Sequence, residues 1–83
     1  YEESENEDVI ANFSADDLLN LIQELTPQYR LVFNLYAIEG YSHKEISNML
    51  EITEGTSKSN LSRARQFLQK KVQESYLIEK QVI

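Results

Sequence analysis

Between Ser42 and Arg65 the chain carries two helix starts separated by a three-residue interruption, and that spacing limits what it can fold into. Ser42 and Glu45 make a capping box: the Ser hydroxyl takes the backbone N–H three residues on, and the carboxylate returns to the Ser N–H. Tyr41 and Ile46 have the spacing of a hydrophobic staple across the same start. The helix so opened is short, running to about Leu50, with Ile46, Met49 and Leu50 expected inward. Glu51-Ile52-Thr53 makes the turn, and Thr53 is placed to cap the next helix. At about 100° per residue, Ser57, Leu61, Ala64, Leu68 and Val72 fall on one face of that helix. Thr56, Ser59, Asn60, Ser62, Arg63 and Gln66 are expected on the other. A short helix, a tight turn and a longer two-faced helix make a helix-turn-helix.

The remaining segments add helices rather than strands. Ser14 caps a first helix, Asp17 sits at the reciprocal capping position, and Phe13 and Leu18 have staple spacing. Leu18, Leu21, Ile22 and Leu25 form its buried stripe. Thr26-Pro27 starts a second helix, with Thr as cap and Pro at the first position, where a missing N–H costs nothing. From Pro27 to about Glu39 it carries Tyr29, Leu31, Val32, Phe33, Leu35, Tyr36 and Ile38, apolar nearly all round, so it is expected as the central buried helix. Gly40 ends it in a left-handed conformation. No segment alternates as a strand does, and no repeat appears. The expectation is an all-α, four-helix compact domain over 13–73. Residues 1–12 read as an acidic, disordered linker, because low hydrophobicity and like charges do not offset ordering entropy. Residues 74–83 read as a fraying helical extension or tail whose Tyr76, Leu77, Ile78 and Val82 are available to a partner.

Several function classes fall away on composition. With 83 residues, 41% of them apolar, the chain has material for one modest core. The absence of Cys removes disulfides and thiolate zinc sites, and His43 is the only histidine, expected as an exposed first-turn residue. Asp16 and Asp17 are adjacent, hence on different helix faces, and complement the helix dipole rather than form a catalytic pair. No phosphate-binding Gly loop or nucleophile–base pairing is present, so neither an enzyme nor a cofactor or metal is expected. No apolar run approaches a membrane span and no secretory signal is visible, so a cytoplasmic location without a membrane partner is the expectation. A start at Tyr1 rather than Met is expected of a piece cut from a longer protein.

A net charge of −6 opposes nucleic-acid binding, but its distribution does not. Tyr1 to Glu24 holds eight acids and no base, whereas Gly55 to Gln73 holds Lys58, Arg63, Arg65, Lys70 and Lys71 and no acid. The base is therefore concentrated on the second helix of the motif, as on a polyanion-binding surface with an acidic arm. A helix entering the major groove needs short side chains near its N-terminus and Asn, Ser, Thr, Lys or Arg to bond base edges and phosphates. Gly55 and Ser57 keep the approach slim, and Thr56, Lys58, Ser59, Asn60, Ser62 and Arg63 supply the donors. Lys58, Ser59, Asn60 and Ser62 are best placed for base edges or adjacent phosphates, while Arg63 suits a guanine or a phosphate equally. Lys44 and Thr56 fit backbone contacts, helped by the positive helix N-terminus. Lys70 and Lys71 lie beyond the groove, facing water. For Arg65 an ion pair with Glu45 or Glu39 competes with a DNA role. The five tyrosines read as core and rim rather than a base-stacking platform.

On these residues the chain resembles region 4 of the extracytoplasmic-function (ECF) sigma factors of bacterial RNA polymerase. The resemblance runs through Leu25-Thr26-Pro27-Gln28-Tyr29-Arg30, Val32 to Tyr36 and Glu39 to Ile46, then Glu54-Gly55-Thr56-Ser57-Lys58-Ser59 and Leu61-Ser62-Arg63-Ala64-Arg65. It covers about Phe13 to Val72 and is most specific in the last block. It implies that the fourth helix reads the −35 element of double-stranded promoter DNA, with Lys58, Ser59, Asn60, Ser62 and Arg63 in the contacting stretch. It also implies docking on the β-subunit flap of the RNA polymerase core, often an anti-sigma factor, and a monomer working within the larger complex. Residues 1–12 would then be the tail of an interdomain linker, the −10-binding domain being absent from this chain. Two positions depart from the family's pattern. Glu51 stands where Gly is usual, either straining a left-handed position by roughly 1 to 2 kcal/mol or shifting the turn, and Ser57 stands where Val is usual, losing apolar burial of about 1.5 kcal/mol or more. Two rival readings are a sigma-like module that docks on polymerase or an anti-sigma factor without reading DNA, and a response-regulator output domain. The apolar tail and Phe67, expected off the core stripe, favour the first rival; an upstream receiver domain would favour the second.

Overall fold

A computed structural model describes residues 14–82 of the chain, with side-chain placement described for 14–75. The linker expected at 1–12, the Phe13 half of the first staple, and the side chains of Tyr76, Leu77, Ile78 and Val82 lie outside the described residues. Among the described residues four α-helices form: α1 over Ala15–Gln23, α2 over Pro27–Phe33, α3 over His43–Leu50 and α4 over Glu54–Val82. A π-helical turn, Asn34–Ile38, continues α2. Among the described residues there is no strand, so the all-α expectation holds.

Local chemistry explains most boundaries. Ser14 accepts the Asp17 N–H at 3.1 Å and opens α1. Pro27 opens α2 at the first helical position. Thr26 has the extended backbone of a cap, but its hydroxyl makes no capping bond, contrary to expectation; Pro27 presets the first φ and the helix starts without one. Gly40 follows the π turn at φ 84, where a Cβ would be strained. The second helix thus loses regular α geometry at Asn34 instead of continuing to Glu39. The wider turn is closed by Glu39 N–H donating to the Asn34 carbonyl and Tyr41 N–H to that of Leu35, each at 2.9 Å.

The contacts divide the chain into two units, residues 25–66 and residues 1–24 with 67–83. In the first, Val32, Ile46 and Leu61 form a buried cluster, with Phe33, Leu35, Tyr36, Leu50 and Ile52 packed partly buried against it. Only one side of α2 meets this cluster, so Leu31 and Ile38 stay exposed, the latter at 57%, and α2 is not the centrally buried helix the sequence suggests. Met49 is likewise exposed. The buried side of α3 is marked by His43, Ile46, Ser47 and Leu50, and Met49 lies about 100° from its centre. In the second unit Ile22, Leu68 and Val72 are buried, and Lys71 Nζ lies 3.9 Å from Glu24. The whole expected stripe of α4, from Ser57 to Val72, is buried. No Gly or Pro follows Gly55, and α4 runs unbroken past Glu74, where fraying is expected, to Val82.

Candidate nucleic-acid interface

The motif starts at a complete capping box. Glu45 N–H donates to Ser42 Oγ at 3.1 Å and Ser42 N–H donates to Glu45 Oε1 at 2.9 Å. The Ser42 backbone bond, and then its hydroxyl, hold the Glu45 carboxyl below the usual carboxylate range. This fixes the first turn of α3 and leaves Lys44 exposed beside it. At the other end Glu51 takes the left-handed conformation, φ 56 and ψ 45, the only positive φ outside glycine among the described residues. Its N–H, and that of Ile52 at 3.1 Å, donate to the Ser47 carbonyl and close the helix end.

Three residues then separate α3 from α4, as the spacing requires. Thr53 caps α4, its Oγ1 accepting the Thr56 N–H at 3.0 Å while donating to Thr56 Oγ1 at 2.8 Å. The next turn of α4 is tied inward by Ser59 Oγ, which donates to the Thr56 carbonyl at 3.1 Å. The exposed side of α4 then carries Thr56, Lys58, Ser59, Ser62, Arg63 and Gln66. Of the seven residues singled out as contacts, Lys44, Thr56, Lys58, Ser59, Ser62 and Arg63 are therefore exposed. Asn60 is not: it is 8% exposed, and its Nδ2 is buried without a hydrogen-bond partner. Three residues on from Ser57, it sits about 60° round the helix, inside the width of a buried stripe.

Behind this face lies an arrangement the pattern of residues does not announce. Ser57 is 0% exposed, and its Oγ is 2.8 Å from His43 Nδ1. The imidazole of His43 stacks on Tyr36, centroids 4.4 Å apart and planes at 17°. His43 is thus half-buried between neighbours, not the exposed first-turn residue expected, because a hydroxyl on the core stripe needs a partner. Of the two roles that compete for Arg65, the ion pair with Glu39 or Glu45 does not form; its guanidinium carbon instead lies 5.9 Å from the Tyr36 ring centroid, a cation–π contact. Lys70 is exposed as expected, whereas Lys71 lies by Glu24 and over the Phe67 ring, 5.6 Å from its centroid. The buried hydroxyl at Ser57 was the one signal that pointed to this arrangement, and it did not name its partner.

The exposed face offers hydrogen-bond donors and two cations on one rigid helix, with no acid from Gly55 to Gln73. That chemistry suits a polyanion. Among the described residues no group of His, Cys, Asp and Glu is arranged to hold a metal ion, and no helix is long and apolar enough to cross a membrane. No curated protein and no solved structure matches the chain. The profile of one family, described as sigma-70, region 4, matches residues 15–68, from the start of α1 into the second half of α4. The match takes in the capping box, the left-handed turn and the exposed face of α4, and the chain belongs to the sigma-70 region 4 family.

Proposed function

We propose that this chain is the promoter-recognition domain of an ECF-type sigma factor, placing α4 in the major groove of the −35 element. The observation that carries this reading is the exposed row Thr56, Lys58, Ser59, Ser62 and Arg63 on the second helix of a sigma-70 region 4 helix-turn-helix. Lys58 and Arg63 supply the charge, the hydroxyls read base edges or phosphates, and Lys44 adds a phosphate contact from the start of α3. The domain works as a cytoplasmic monomer with no catalysis or cofactor of its own. Its partners are the β-subunit flap of the polymerase core and an anti-sigma factor. A second reading, a module that docks on protein without reading DNA, draws on the exposed Leu31, Ile38 and Met49.

A binding selection from a randomised duplex pool, repeated with the chain joined to bacterial core polymerase, separates the two. Recovery of a common sequence supports promoter reading. With that recovered duplex, Lys58→Ala and Arg63→Ala should each cost about 1–3 kcal/mol of affinity with helicity unchanged. Polymerase binding without any selected sequence would favour the docking module.

A further inference from the structure

We infer that His43 is a positioning residue that sets how α4 presents its exposed face, acting through Ser57. This rests on the promoter-reading role proposed for α4. The bond from His43 Nδ1 to Ser57 Oγ, 2.8 Å, joins the first residue of α3 to the fourth residue of α4. Each is flanked by candidate contacts: Lys44 follows His43, while Thr56, Lys58 and Ser59 surround Ser57. A shift at this bond therefore moves both sets of contacts against each other. With the imidazole proton on Nε2, Nδ1 is the acceptor of this bond and the Ser57 hydroxyl its donor.

One tie fixes a point on a helix, not its direction. The second tie is at Arg65, eight residues further along α4, a distance of about 12 Å. Its guanidinium reaches the same Tyr36 ring on which His43 stacks. Tyr36 is held by the π-helical turn after α2, a geometry often found at functional positions. The start of α3, the π turn and two points of α4 thus meet at one stacked pair. Ser57 and Arg65 together set both the position and the tilt of the helix that carries Lys58, Ser59, Ser62 and Arg63.

The test is a substitution cycle on the 83-residue chain, read in three ways. His43→Phe keeps a ring to stack on Tyr36 and removes the acceptor. His43→Asn restores an acceptor, Oδ1, near the place of Nδ1. His43→Phe with Ser57→Val removes both polar partners together. Nitrogen NMR of the imidazole should find Nδ1 as the unprotonated, hydrogen-bonded nitrogen, and Ser57→Ala should shift its resonance. Affinity for the duplex recovered from the randomised pool is measured at a temperature where every variant is fully folded. His43→Phe should lose roughly tenfold, in the range for coupled neighbours. His43→Asn should regain most of that loss, while the double variant should recover thermal stability without recovering affinity. An imidazole signal indifferent to Ser57→Ala, or full affinity in folded His43→Phe, overturns the assignment. If the selection yields no duplex, the promoter reading fails separately, while the NMR and stability arms still test the bond.

Discussion

Glu51 sits at φ 56 and ψ 45 at the end of α3, where a Cβ crowds the backbone and glycine does not. Glu51→Gly should therefore stabilise the chain by about 1 kcal/mol, visible as a raised thermal midpoint with unchanged helicity; a lowered midpoint would show that the side chain makes a compensating contact. The family's usual Gly at this place is then understood as relief of a strain this chain retains. Glu45 carries a pH signature of its own. Its two bonds to Ser42 hold the folded carboxyl below the ordinary glutamate range. Its stabilisation is thus fully present above the unfolded pKa and disappears as pH falls through the lowered folded value. Glu45→Gln keeps the capping geometry but cannot ionise. The wild type should melt higher than this variant near neutral pH, and the gap should close in acid. A gap constant across the range would remove the charge from the explanation.

At the scale of elements, α4 shows what a helical pattern can and cannot specify. Its core stripe was legible from Ser57 to Val72 because each residue repeats a face at helical spacing. The caps at Ser42 and Thr53 and the turn between the motif's helices were legible because they depend on residues a few positions apart. Asn60 was misplaced because it lies at the edge of the stripe, where the angle alone does not decide between core and solvent. The Tyr36–His43 stack, the Arg65 contact and the π turn were not legible, since each depends on which helices meet and how. With its Nδ2 buried and unpaired, Asn60 carries a desolvation cost of about 1–3 kcal/mol. Asn60→Leu, of similar shape without the donor, should raise stability by about 1 kcal/mol and leave the salt slope of DNA binding unchanged. A loss of duplex affinity in folded Asn60→Leu would mean that Asn60 turns outward to meet the DNA.

For the molecule as a whole, the organising fact is that net charge and local charge have opposite signs. The chain carries −6, yet the exposed face of α4 carries Lys58 and Arg63 without a neighbouring acid beyond Glu54. The five carboxylates of residues 1–12 account for most of the excess, and removing them leaves a net charge of −1. Like charges repel over roughly a Debye length, about 10 Å at 0.1 M salt, so an arm within that reach of a duplex on α4 opposes its binding. Counterion release at the face itself gives a slope of roughly −0.9 in log affinity against log salt per phosphate neutralised. The two effects separate on a salt titration. Deleting residues 1–12 should strengthen binding to the recovered duplex most at low salt, with the advantage fading as salt rises, because repulsion between like charges is screened. Residues 1–12 hold no Lys or Arg to neutralise a phosphate, so at high salt the two chains should share the slope set by the face. Equal affinities at low salt would show the arm to be electrostatically silent, and a slope near zero in both chains would remove the phosphate contacts assigned to α4.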